Sequence, residues 1–214
     1  MSTPESRHVA ATPGVPEHCS ISFTPKRHET ALVIPVLNEN GRITRQLEKL
    51  NCFDFPIDII IADGGSTDGS LVPRDLQEKN VTALLTKVGP GKLSAQLRMA
   101  FSYCLDNAYD YVITVDGNDK DGMEGIPTIL SALRDGYDFV QGSRFVTGGQ
   151  AINTPFSRLI AIRCLHAPVI STGARHWYTD TTNGFRGHSA RLLADEGVAV
   201  FREVFDSCLL YTSD

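Results

Sequence analysis

Apolar and polar positions along the chain fall into a repeating order: a short run of core-type side chains, a burst of polar residues and glycines, then an amphipathic stretch. Ala31-Leu-Val-Ile-Pro35-Val-Leu, Ile57-Asp-Ile-Ile-Ile-Ala62, Val81 to Thr86, Tyr111-Val-Ile-Thr-Val115 and Tyr137-Asp-Phe-Val-Gln141 are rich in β-branched and aromatic residues and predict strands. Pro35 has no N–H to give and is expected to end the first ladder. Between strands, apolar residues return at helical spacing. Ile43, Leu47 and Leu50 share one face of a helix predicted over Gly41 to Leu50. Further helices are predicted over Leu93 to Asp106, Ile126 to Leu133 with Pro127 in the first turn, Thr154 to Ala167, and Ser189 to Glu196. This alternation predicts an α/β fold with a central, mostly parallel sheet flanked by helices.

The two ends depart from the pattern. Residues 1–30 are rich in Pro, Ser, Thr and His without apolar periodicity and are expected to form a flexible leader, with one folded domain over 31–214. The chain stops at Ser207-Cys-Leu-Leu-Tyr-Thr-Ser-Asp214 with nothing to cap it, the expectation being a truncated or substituted end. Hydrophobic residues at 42% and charged residues at 21% suit an ordinary packed core. A formal net charge of −5 argues against a nucleic-acid binder that relies on bulk positive charge. No apolar run reaches the length of a membrane span and no apolar signal segment opens the chain, so a cytoplasmic location is expected, with peripheral membrane contact left open. The cysteines (Cys19, Cys52, Cys104, Cys164, Cys208) form no CxxC pair and read as reduced thiols.

The chemistry gathers where the strands run out. In open α/β sheets, ligands bind outside the carboxyl ends of the strands. Tyr111 to Val115 leads straight into Asp116-Gly-Asn118-Asp119-Lys120-Asp121-Gly122, a set of oxygen donors suited to Mg²⁺ or Mn²⁺ and, through it, to a diphosphate. The same residues can also be a turn that ends a strand. They do not form a calcium loop, because Lys120 and Asp121 occupy its fifth and sixth places. Asp63-Gly-Gly-Ser-Thr-Asp68-Gly-Ser70 is a glycine-rich strand-to-helix turn of the nucleotide-binding kind, without GxGxxG. Asp63 is placed to accept hydrogen bonds from a ribose or base, and Asp68 can equally cap a helix. Asn38 or Asn40 can cap the helix after the first strand. Gly91-Lys92 is no P-loop, since Thr86 and Leu93 stand at its first Gly and its Ser/Thr. Lys92 at a helix start can meet phosphate or remain solvated. Arg144, near Gly148-Gly149, can clamp an anion with its planar fork or sit on the surface. Trp177 to Arg186, aromatic and polar at once, suits a substrate-binding loop.

Four motifs stand in order: Ile34-Pro-Val-Leu-Asn38-Glu39, Asp63-Gly-Gly-Ser-Thr-Asp68-Gly69, Asp116-Gly-Asn118, and Gly142-Ser-Arg144-Phe145 with Gly148-Gly149. Together they resemble glycosyltransferase family 2, the inverting enzymes of the GT-A fold, and within it the dolichyl- or polyprenyl-phosphate mannose synthase branch. Asn183-Gly-Phe-Arg186 resembles that family's SGFR segment, and the likeness runs from about Ala31 to Leu193. The resemblance implies a Rossmann-like GT-A sandwich as the catalytic domain, a UDP- or GDP-sugar donor, and a lipid-phosphate or glycan acceptor. It implies a Mg²⁺ or Mn²⁺ ion and a role in cell-envelope biogenesis at the inner face of the membrane. Pro35, Asn38, Glu39 and Asp63 match positions around the nucleotide, and Asp116 the first carboxylate of DxD. Asn118 stands where the second carboxylate usually is; its amide oxygen can ligate but brings no charge, and Asp119 or Asp121 can compensate. Arg144 matches the arginine near the acceptor phosphate, and Asp180 is a candidate for acceptor positioning. A sugar-phosphate nucleotidyltransferase is the competing enzyme class, but a basic glycine-rich loop would then follow the first strand, where Pro35-Val-Leu-Asn38-Glu39 stands. A non-catalytic nucleotide-sugar-binding module is the third reading.

Overall fold

The structure, a computed structural model, describes residues 5–119, 122–143, 172 and 183–202 of the 214. The predicted helix from Thr154 to Ala167 lies outside the described residues. Along the chain run β1 (Glu5–Val9), β2 (His18–Ser22), β3 (Thr30–Val36), α1 (Gly41–Leu50), β4 (Asp58–Asp63), α2 (Pro73–Glu78) and β5 (Val81–Lys87). They are followed by α3 (Leu93–Asp106), β6 (Tyr111–Thr114), a 3-10 turn (Met123–Gly125), α4 (Ile126–Arg134), β7 (Phe139–Gln141), β8 (Arg186–Ser189) and α5 (Ala190–Ala194). The described strands form one sheet in the order β1-β2-β5-β4-β3-β6-β8-β7.

Its centre, β5-β4-β3-β6, is parallel. Alternation along the central strands builds two cores. Leu32, Ile34 and Val36 pack with Ile59, Ile61, Ile43 and Leu47 of α1, and Ile126, Ile129 and Leu133 of α4. Ala31, Val33, Ile60 and Ala62 face the other way, toward Met99, Ala100 and Cys104 of α3. A parallel sheet buried on both faces reads as continuous apolar runs, which is why these strands were conspicuous in the sequence.

Three elements depart from expectation. The segment expected as a flexible leader supplies β1 and β2; β2 runs antiparallel beside β5, and β1 beside β2. Their sequences, Glu5-Ser-Arg-His-Val9 and His18-Cys-Ser-Ile-Ser22, carry few apolar side chains because strands at the sheet's margin gain their place from backbone pairing. Residues Arg186–Ser189, of which Arg186 is read in the sequence as the end of a loop and Ser189 as the start of a helix, form β8, antiparallel between β6 and β7. Gly187 allows this. A Cβ there would lie 2.4 Å from Ile129 Cγ2 and 2.9 Å from Leu133 Cδ1, so α4 packs directly on the strand backbone. The helix expected after the glycine-rich turn is α2, only six residues long.

Pro35 does not end β3, whose pairing with β4 continues to Val36 opposite Asp63. Val115 N–H donates to Val33 O, so by alternation Pro35 faces the β6 side beyond the last β3–β6 pair, where no ladder bond is lost. Asn40 stands at the N-cap of α1 without a side-chain cap bond. The predicted last helix begins one residue late, with Ser189 as N-cap accepting from Leu192 N–H.

Candidate active site at the carboxyl ends of the parallel strands

Because β3, β4, β5 and β6 are parallel, their exit loops emerge at one edge of the sheet. Thr114 pairs with Arg186, and Gln141 with Arg186, so residues 142–143 and 183–185 reach the same edge from β7 and β8. The sheet alone thus assembles motifs that lie more than a hundred residues apart in sequence.

The loops after β3 and β4 are laced together. Asn38 N–H donates to Ser66 Oγ (3.0 Å), and Asn38 Oδ1 accepts from Thr67 N–H (2.9 Å). Asn40 N–H donates to Asp68 Oδ2 (2.7 Å). Both asparagines have positive φ, 54° and 49°, and Asn40, with ψ −139°, lies outside the left-handed helical region. The two asparagine side chains therefore do not cap α1: that of Asn38 holds the neighbouring loop, and Asn40 Nδ2 donates to Asn38 O. Hydrogen bonds from the Ser70 hydroxyl and N–H, with that of Asn40, hold the Asp68 carboxyl below its ordinary range. Asp68 therefore ties loops rather than capping α2, whose N-cap is Val72.

Asp63 is buried at the tip of β4, where Oδ1 accepts from Gly65 N–H (3.1 Å) and Ser66 N–H (2.7 Å). That turn fixes the glycine-rich loop. Under it, the buried Gln96 of α3 donates from Nε2 to Val36 O (2.9 Å) and Ala62 O (3.0 Å), joining the tips of β3 and β4. A side chain at position 64 would meet Gln96 Nε2 at 2.8 Å, so the backbone passes directly over this amide.

On the neighbouring strand, Asp116 follows β6 and is half-buried. Its carboxylate is seated against the backbone of Gly184, where a Cβ would lie 2.4 Å from Oδ1 and 2.9 Å from Oδ2. Thr114 Oγ1 donates to Gly184 O (2.9 Å) and fixes that floor. Gly117 fits against Pro35, with 2.7 Å from a would-be Cβ to Pro35 O. Asn183 secures the β7 and β8 loops to each other, Nδ2 donating to Gly142 O (3.1 Å) and Oδ1 accepting from Phe185 N–H (3.2 Å).

The predicted residues Pro35, Asn38, Asp63, Asp116 and Asn118 are thus gathered at one edge. Glu39 lies there too, paired with Arg42 at 2.8 Å. Lys92 stands exposed at the head of α3 after β5. Arg144, Asp180 and Asp121 lie outside the described residues. Asp119 turns to α1, its carboxylate 2.9 and 3.0 Å from Lys49 Nζ. Sequence reasoning missed Gln46 and Gln96. The available signal was a polar residue at a core-facing helical position, Gln46 lying one turn from Ile43 and Leu50.

Among the described residues no group of three or more His, Cys, Asp or Glu is placed to hold a metal. Asp116 and Asn118 offer one carboxylate and one amide oxygen. That set fits a Mg²⁺ or Mn²⁺ ion whose remaining ligands are phosphate oxygens and water, the usual way these ions are bound beside nucleotides.

A parallel-centred sheet flanked by helices, with a nucleotide-type loop and an acidic loop at its strand ends, is the GT-A arrangement. Residues 31–208 match the family model of glycosyl transferase family 2, and the chain belongs to that family. It is similar to the undecaprenyl-phosphate mannosyltransferase of Micrococcus luteus, 30% identical over 165 residues, 75% of this chain and 66% of the relative. It is similar to the polyprenol monophosphomannose synthase of Mycolicibacterium smegmatis, 24% identical over 170 residues, 77% and 63% of the two chains. The chain therefore spans slightly less than two thirds of the length of these relatives. Glucosyl-3-phosphoglycerate synthase from Mycobacterium tuberculosis, solved with Mn²⁺, UDP-glucose and phosphoglyceric acid, shares the fold. Its TM-score is 0.56 at 17% identity, over 85% of this chain and 66% of that one. Among the described residues no helix is long and apolar enough to cross a membrane.

Proposed function

We propose that this domain is the catalytic domain of an inverting glycosyltransferase that moves a hexosyl group from a nucleoside-diphosphate sugar to a polyprenyl phosphate. The observation that carries the reading is the seat of Asp116: a carboxylate at a parallel strand end, pressed onto Gly184 at the same edge of the sheet as the laced Asn38–Asp63–Ser66 loops. The relatives' polyprenyl-phosphate acceptors and the Mn²⁺ and UDP-glucose in the structural neighbour support it.

In this reading Pro35, Asn38, Glu39 and Asp63 bind the nucleoside, and Lys92 lies toward its diphosphate. Asp116 and Asn118 would hold the Mg²⁺ or Mn²⁺ ion. When bound, that ion supplies positive charge against the leaving diphosphate. An acceptor phosphate oxygen attacks the anomeric carbon from the face opposite the diphosphate. The new carbon–oxygen bond takes the oxygen's lone pair, the old bond's electrons leave on the nucleoside diphosphate, and configuration inverts. A phosphate acceptor is already an anion, so no side chain has to remove a proton. Arg144 is assigned to the acceptor phosphate, whose oxygens suit its planar fork, and Asp180 to acceptor positioning. Such a reaction places the domain at the inner face of a membrane, in peripheral contact with it, supplying sugar to the cell envelope.

The test is thermal shift of the purified chain with UDP, GDP and their sugars, with and without Mn²⁺. A ligand bound only by the folded state raises the melting temperature. A rise that needs both a nucleotide and Mn²⁺, and that is lost in Asp116→Ala, is the expected result. An Asp116→Ala chain with unaltered donor binding and turnover refutes the reading.

A further inference from the structure

The turn that carries Asp116 is gripped from α1 by one buried side chain. Gln46 has no exposed surface. Its Nε2 donates to Asp116 O (3.0 Å), and its Oε1 accepts from Asp119 N–H (3.2 Å). One amide thus ties both ends of a four-residue turn and satisfies its own donor and acceptor roles. A buried amide is costly unless bonded, so this side chain is satisfied only with the turn in this register. Within the turn, Gly117 rests against Pro35 O, and Asp119 takes left-handed backbone with φ 59°. The Asp119 carboxylate is drawn to the same helix, bonded to Lys49 and 3.9 Å from Arg45 Nε.

We propose that Gln46 is a positioning residue for the diphosphate–metal site: it sets the register of the turn so that Asp116 and Asn118 supply its metal donors. This rests on the reading of Asp116 as the metal-binding carboxylate. The core on this face of α1 is otherwise built by Ile43, Leu47 and Leu50, and an apolar side chain at 46 would fill the space without holding the turn.

The test is Mn²⁺ binding by electron paramagnetic resonance in the presence of GDP or UDP, alongside the melting temperature and deuterium exchange at the Asp119 amide. Gln46→Met keeps side-chain length and helix preference, and Gln46→Leu serves if the first variant folds poorly. Either folded variant is expected to weaken nucleotide-dependent Mn²⁺ binding by about tenfold or more, as loss of a metal site's supporting partners does. The Asp119 amide should exchange faster in it. Asp119→Asn, which retains the backbone bond to Gln46, is expected to bind Mn²⁺ within about twofold of wild type, since partly exposed ion pairs contribute little. A folded Gln46 variant that binds Mn²⁺ as wild type does overturns the inference and leaves the Asp116 reading standing. So does a roughly tenfold loss in Asp119→Asn, which would make Asp119 a ligand. Absence of nucleotide-dependent Mn²⁺ binding by wild type overturns both together.

Discussion

At the scale of single residues, close approach does much of the work. Gly184 is a residue whose smallness the carboxylate of Asp116 requires. Gly184→Ala puts a methyl 2.4 Å from Oδ1, so the carboxylate must move. Because the atoms met are the carboxylate end of a half-buried side chain, the cost in stability should fall below the roughly 1–3 kcal/mol of core overpacking. The larger expected effect is on the site: Mn²⁺-dependent donor binding, followed by calorimetry, should fall about tenfold or more, given the sensitivity of metal sites to small displacements. His188 gives a second residue-scale prediction. It packs between Phe101 and Phe139, ring centroids 5.3 and 5.4 Å away. Burial first, then the Arg186 charge, pushes its pKa down to about 4. The fold therefore holds the ring neutral, and between pH 6.5 and about 4 the unfolded chain binds the proton that the folded chain refuses. Stability is complete above pH 6.5 and declines through this window as pH falls. Urea unfolding across pH 4–7 checks this, and His188→Phe should flatten the curve.

At the scale of elements, helix α1 links the core to the site. Its apolar positions bury Ile43, Leu47 and Leu50 against the sheet, while Gln46, Lys49 and Arg45 reach the turn after β6. Leu47→Ala should cost about 2–5 kcal/mol, the range for emptying a well-packed leucine site. The reason is that Leu47 is completely buried in the cluster shared with Ile34 and Ile61. A denaturant titration reads that loss directly. The same helix shows how legibility divides. Its apolar spacing was plain in sequence, and its observed bounds agree with the prediction. The destination of Gln46 was not plain, since its partners lie 70 and 73 residues away. Strands β1, β2 and β8 were illegible for another reason: their sequences lack the apolar signature, and neighbouring backbones make them strands.

At the scale of the whole molecule, stability should grade outward from the parallel centre. Amides of Leu32 to Ile34 and Ile59 to Ile61, paired on both sides and covered by helices, are expected to exchange most slowly. Those of β1, paired to β2 in the described structure, should exchange among the fastest, and hydrogen-exchange mass spectrometry checks the order. By itself the sequence determined the alternation of strand and helix, the parallel core, the family, and the four motifs. These are properties of local composition and spacing, which short-range sterics and burial impose residue by residue. Only the tertiary structure decided that Asp119 belongs to α1, that Asn38 braces the Asp63 loop instead of capping a helix, and that Asp116 rests on Gly184. Each of those outcomes depends on which distant backbone the sheet brings within hydrogen-bonding reach, and no local pattern carries that information.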